Sequence, residues 1–198
     1  YAHKENQALL HNILPQKTAE ELIENNGKVM PKHYELATIL FTDFKGFTTI
    51  AENLSAEELL NDLGILFEKF DKIVEEHNVE KIKTIGDAYM CAGGVPEKNT
   101  TNPLDVTKAA LAIQKEMVKF NTERNKRNEQ TWEIRIGIHT GPVITGVVGK
   151  SKFAYDLWGD AVNTASRLES AGEVGKINLS KETYELIKDH FICEHRGK

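Results

Sequence analysis

Residues 36–48 read LATILFTDFKGFT. Leu36 to Phe41 is a short apolar run with the length and composition of a buried strand. Asp43 follows at its end, and Phe44-Lys45-Gly46-Phe47-Thr48 then turns toward a helix. Free N–H groups at a helix start receive phosphate, and Gly46 allows a close backbone approach. Taken alone, Asp43 reads more simply as an N-cap.

Outward from that stretch, Ser55-Ala56-Glu57-Glu58 is a capping box. Leu59, Leu60, Leu63, Leu66, Phe67, Phe70 and Ile73 continue it as a helical stripe. Val79 to Ile85 and Ala88 to Ala92 read as two strands of a hairpin around Gly86-Asp87. Asn102-Pro103 opens a helix running to about Asn128, with proline at its first position. Ile134, Ile136 and Ile138 alternate with Arg135, Gly137 and His139, which is strand periodicity. Val143 to Val148 reads as a further strand, Asp160 to Ser170 as a helix, Ile177 to Leu179 as a strand and Lys181 to His190 as a last helix. That order predicts an α+β fold, a ferredoxin-like βαββαβ core with a mixed, mainly antiparallel sheet and helices over one face. Ahead of it, Leu9, Leu10, Ile13 and Leu14 recur at helical spacing until Pro15, and a second helix spans Gln16 to Asn26 before Gly27. Residues 1–30 are therefore expected to be a helical connector and 31–198 the domain proper.

Composition narrows the function. With 198 residues, 40% hydrophobic and 28% charged, the chain reads as one globular domain with a sizeable core. A formal charge of −5 argues against nucleic acid, whose phosphates need a basic face. Cys91 and Cys193 build no disulfide framework and fit a reducing compartment. No apolar run approaches the roughly 20 residues of a membrane span, and no signal peptide opens the chain. The expectation is a soluble, cytoplasmic domain, with membrane attachment of a larger protein as the open alternative.

If the strand ending at Asp43 neighbours the hairpin carrying Asp87, two carboxylates converge. They would repel unless a cation lay between them. Hard oxygens beside a phosphate-binding turn point to Mg²⁺. Gly86-Asp87 by itself is more simply a turn. Further on, Asp160, Asn163 and Arg167 sit at helical offsets, with Asn163 and Arg167 on one face.

Four segments together resemble class III adenylate and guanylate cyclase catalytic domains. They are Phe41 to Thr48, Lys81 to Met90 (KIKTIGDAYM), Arg135 to Val143 (RIGIHTGPV) and Trp158 to Arg167 (WGDAVNTASR), in the family's order. Asn12-Ile13-Leu14-Pro15 resembles the helical transducer that precedes many such domains. The resemblance implies that Asp43 and Asp87, with the Phe44 carbonyl, hold two Mg²⁺, for which Mn²⁺ substitutes. It implies a substrate-binding turn at Phe44, Lys45, Gly46, Phe47 and Thr48. Lys83 and Asp156 fall on the purine-reading positions, Asn163 on the ribose-orienting one, and Arg167 on the arginine that meets the α-phosphate. Lys83 and Asp156 suit ATP, whereas cyclases selective for GTP usually place Glu and Cys there. The family's half-sites meet across a dimer interface, so a homodimer is expected, with an upstream sensor or membrane domain.

The expected activity is conversion of ATP to 3′,5′-cyclic AMP and pyrophosphate. A guanylate cyclase and a catalytically silent dimerisation module are the alternatives, although silent halves usually lack one of these residues. A diguanylate cyclase is a weaker idea, since Gly93-Gly94-Val95-Pro96 does not supply its signature. Two departures stand out. Pro142 occupies a place where some mammalian cyclase halves carry arginine, and the sequence stops at Arg196-Gly197-Lys198 without the family's closing hairpin and its triphosphate-binding lysine.

Overall fold

The structure, a computed structural model, describes residues 2–198, so residue 1 of the expected connector lies outside the described residues. Two helices come first, α1 (Ala2–Ile13) and α2 (Gln16–Glu24), broken at Pro15. α2 stops short of the expected Asn26 because Asn26 and Gly27 take positive φ, 53° and 86°. There follow β1 (Lys32–Lys45), α3 (Phe47–Asn53), α4 (Ala56–Glu76), β2 (Glu80–Ile85), β3 (Ala88–Gly93) and α5 (Asn102–Lys126). The chain continues through β4 (Glu133–Val148), β5 (Ala154–Trp158), α6 (Asp160–Ser170), β6 (Ile177–Leu179) and α7 (Lys181–Ile187). α7 is thus shorter than the helix expected to His190.

The sheet order is β2-β3-β1-β4-β5, antiparallel throughout, with β6 added parallel to β4. Its first four strands follow the expected βαββαβ path. The capping box at Ser55 is present, and Gly86-Asp87 joins β2 to β3 as a two-residue turn.

Helices cover both faces of the sheet, not one as expected. Leu40 and Phe44 of β1 pack with Phe70 of α4 and Ile113 of α5, while Ile39 and Phe41 pack with Leu22 of α2 and Ala165 of α6. An unbroken apolar run such as ATILF belongs to a strand buried on both sides. β1 is also longer at both ends than Leu36 to Phe41. The two strands expected at 134–138 and 143–148 are one strand, β4, and β5 had no counterpart in the sequence reading.

α6 lies directly on β4. A Cβ on Gly137 would stand 2.1 Å from the Glu169 nitrogen, and one on Gly141 would be 3.1 Å from the Ala161 Cβ. These glycines let the helix descend onto the strand, so Arg135, on the same face, meets the C-terminal end of α6.

Glu80, at the start of β2, has one cause acting on its carboxyl, burial, which raises it from 4.5 to about 7. Between those values the unfolded chain is ionised there and the folded chain is not, so stability falls as pH rises through that window. Glu80→Gln should therefore stabilise the fold by about 2 kcal/mol at pH 8 and by nothing at pH 4. Urea unfolding at both values checks this, and an unchanged midpoint at pH 8 would refute it.

Candidate active site

β1 and β3 are neighbours, with Thr42 opposite Tyr89. That pairing carries the Gly86-Asp87 turn to the end of β1 where Asp43 lies. Asp87 Oδ2 accepts the Phe44 N–H at 3.1 Å, which fixes the second carboxylate beside the first. The convergence expected from the sequence is therefore present. Gly46 follows with φ 71° and leads into α3, so the chain turns sharply beside both carboxylates. Lys45 and Thr48 are exposed, Phe47 partly so, and Phe44 is buried. Phe44 and Phe47 both stand edge-on to Trp132, with centroids 5.2 and 6.0 Å away, so the turn rests on an aromatic base.

Asp43 is not free. Arg135, opposite it in the β1–β4 ladder, donates from Nε to Oδ1 at 3.0 Å and from Nη2 to Oδ2 at 2.8 Å. Its Nη1 donates to the Ser170 carbonyl at 3.1 Å. Glu169 Oε1 lies 3.5 Å from Arg135 Nε. The Asp43 hydrogen bonds are the main reason the Arg135 guanidinium holds its proton more firmly than usual. Burial, reinforced by Asp43, raises the Glu169 carboxyl to about 8, while Arg135 opposes that rise. Arg135 and Glu169 were passed over in the sequence. The available signal was a charged residue among the isoleucines of β4, facing the same side as Gly137.

Asp43, Asp87 and the main chain at Phe44 offer the hard oxygens that Mg²⁺ takes. Among the described residues no three His, Cys, Asp or Glu side chains gather closely enough to hold a metal by themselves. A set of two carboxylates leaves coordination positions for phosphate oxygens and water, so the residues fit a cation shared with a phosphorylated substrate.

Lys83 and Asp156 meet elsewhere. Their strands, β2 and β5, are at opposite edges of the sheet, yet Lys83 Nζ donates to Asp156 Oδ2 at 2.7 Å. The contact forms because the β4–β5 arm folds back over the face that buries Tyr155 and Leu157 with Ile39 and Met90. Asp156 Oδ1 also takes the Leu157 N–H at 2.8 Å, which fixes the carboxylate. Side-chain exposures of 41% and 20% leave both groups within reach of a ligand. Asn163 and Arg167 are exposed on the outer side of α6, opposite the buried Ala161, Ala165 and Glu169. The structure thus brings together Asp43 with Asp87 and Lys83 with Asp156. It leaves Asn163 and Arg167 facing outward.

Comparison with known proteins bears on these groups. Residues 29–198 match the family model for the adenylate and guanylate cyclase catalytic domain. The chain is 40% identical over 195 residues to an adenylate cyclase of Mycobacterium tuberculosis, covering 98% of this chain and 43% of that protein. It is 42% identical over 190 residues to human guanylyl cyclase C, covering 94% and 17% respectively. The crystal structure of the adenylyl cyclase CyaB from P. aeruginosa superposes with a TM-score of 0.79 at 32% identity, covering 83% of this chain and 86% of that one. The chain therefore spans less than half the length of the two curated relatives.

Proposed function

The chain belongs to the adenylate and guanylate cyclase catalytic domain family, and on that premise we propose that it converts ATP to 3′,5′-cyclic AMP and pyrophosphate as a homodimer. Overall similarity does not choose the base, since adenylate and guanylate cyclases are equally close to it. The observation that carries the choice is the Lys83–Asp156 pair, a cationic donor beside a fixed carboxylate acceptor. Adenine presents an acceptor at N1 and a donor at its 6-amino group, which such a pair complements. Guanine reverses that edge.

Asp43, Asp87 and the Phe44 carbonyl would hold two Mg²⁺, with Mn²⁺ as a substitute, which would lower the pKa of the ribose 3′-hydroxyl and neutralise phosphate charge. The turn from Phe44 to Thr48, with Lys45 exposed and Gly46 in the left-handed region, receives the phosphates. Arg167 supplies a fixed positive charge where negative charge develops on the α-phosphate, and Asn163 orients the ribose. Both face outward without a hydrogen-bond partner among the described residues, as suits residues that complete a site on another copy. No helix among the described residues is long and apolar enough to cross a membrane. The greater length of the relatives leaves room for a regulatory or membrane segment in the whole protein.

Measuring cyclic AMP and cyclic GMP from ATP and GTP, with Mg²⁺ and with Mn²⁺, tests the assignment. The wild type should prefer ATP. Lys83→Glu combined with Asp156→Cys should move the preference toward GTP by roughly 10- to 100-fold, the scale of discrimination by one hydrogen-bonded edge. An unmoved ratio in a folded variant would show that these residues do not read the base.

A further inference from the structure

His139 and a run of buried hydroxyls behind it take no part in the site. Asn102, fully buried at the start of α5, donates its amide protons to main-chain oxygens, Leu36 at 3.2 Å and Asn99 at 3.1 Å. Its Oδ1 therefore accepts, and Thr38 of β1 donates to it at 2.7 Å. A hydroxyl has one proton to give. Thr38 has given its own, so Thr140 of β4 must donate to Thr38 across 2.9 Å, and Thr183 of α7 to Thr140 across 3.0 Å. Ser180 then donates to Thr183 at 3.2 Å, which leaves His139 Nδ1 as the donor to Ser180 Oγ at 2.7 Å. Were the Ser180 proton on the Nδ1 side instead, no proton would lie between Ser180 and Thr183, and buried polar contacts are normally made. The Asn102 amide thus sets the direction of every bond up to the ring, and a chain aligned one way is strengthened by cooperativity.

A neutral ring protonated at Nδ1 carries its lone pair on Nε2. His139 and Gly141 share one face of β4, and a Cβ on Gly141 would lie 3.2 Å from Nε2 and 3.1 Å from the Ala161 Cβ. Nε2 therefore lies beside the first turn of α6, which receives no side-chain cap from Gly159. The start of a helix is its positive end, which favours a lone pair over an N–H. The carboxylates that face the ring are Glu182 of α7, 3.9 Å from Nδ1, and Asp160 at the head of α6, while β1 presents Ile39 opposite. Burial holds the ring below the usual histidine range against both of them.

We propose that His139 is a positioning residue for α6: the hydroxyl chain holds its imidazole as the Nδ1–H tautomer, so that a bare Nε2 seats the helix start and keeps Asn163 and Arg167 in place for the reaction. A proton taken up at Nε2, or a turned tautomer, sets an N–H against the helix start and unseats it. The proposal rests on the roles given above to Asn163 and Arg167 and adds a residue that acts through them.

Nitrogen-15 NMR of the imidazole tests the tautomer without reference to turnover. At pH 8 the wild type should show a protonated Nδ1 and a bare Nε2. Thr38→Val removes the hydroxyl that fixes the direction. Thr140, Thr183 and Ser180 can then all donate the other way, so the ring proton should move to Nε2. Thr38→Ser should keep the wild-type ring. In turnover, His139→Ala should lower kcat about tenfold with little change in KM, less than the roughly hundredfold that a 1 Å misplacement costs. His139→Asn, whose amide can donate to Ser180 as Nδ1 does, should recover most of kcat. It should also lose the acid fall in kcat that the wild type shows below the usual histidine range. Thr38→Val leaves the ring's own contacts in place, should lower kcat by a comparable factor, and replaces His139→Ala if that variant does not fold. A wild-type ring protonated at Nε2, or a ring unmoved by Thr38→Val, overturns the chain. Arg167→Ala with full activity removes the reading of α6 and the positioning role with it. Lost activity in Arg167→Ala, with a turned ring and unchanged kcat in Thr38→Val, keeps that reading and overturns the positioning role.

Discussion

Asp43→Ala and Asp87→Ala should each lower turnover by at least about a thousandfold. Each removes one of the two carboxylates proposed to hold the cations, and every 1.36 kcal/mol lost in the transition state costs a factor of ten. The two variants differ in what they do to the fold. Asp43 also carries the Arg135 fork, so its loss leaves a partly buried guanidinium with Ser170 and Glu169 as its remaining partners. A destabilisation of about 1–3 kcal/mol follows. Asp87 accepts a single main-chain N–H, from Phe44, and its loss should cost about 1 kcal/mol. Both proteins should fold at 25 °C with lowered melting temperatures and no measurable cyclisation. A folded variant keeping a tenth of wild-type activity would show that its carboxylate holds no essential cation.

Much of this arrangement was legible because its signals are local. Ser55 and Glu58 cap α4 within one turn, and Gly86-Asp87 closes a two-residue hairpin. Both place their neighbours without help from distant residues. β4 was misread at Gly141-Pro142, which reads as a turn. In the structure Pro142 lies opposite the irregularity in β1 between Tyr34 and Ala37, where the ladder asks no N–H of it, and the strand runs through. The fold-back of the β4–β5 arm, and hence the meeting of Lys83 with Asp156, depends on pairing between residues 73 positions apart. Periodicity carries no trace of that. The same holds for Arg135 and Glu169. Glu169 lies on the buried side of α6 with Ala161 and Ala165, and only the descent of that helix onto Gly137 and Gly141 brings it to Asp43. The proposed dimer is likewise invisible to local pattern, and it is tested through function.

Mixing two inactive variants should restore activity if each site draws on two chains. Asp43→Ala disables the sheet-end group, and Arg167→Ala disables the outer face of α6. In a mixed dimer one site pairs an intact Asp43 with an intact Arg167, while the other site carries both lesions. Random exchange of equal amounts makes about half of the dimers mixed, each with one working site, so activity should recover to roughly a quarter of wild type if the sites act independently. Specific activity of the wild type should also fall on dilution, because the complete site exists only in the associated state. The arrangement within one chain points the same way. Asn163 and Arg167 project from α6 on the side opposite Ala161 and Ala165, away from the sheet whose end carries Asp43 and Asp87. A mixture as inactive as its components, with exchange of chains verified by a labelled subunit, would place each site within a single chain and require Arg167 to reach Asp43 by a rearrangement of α6.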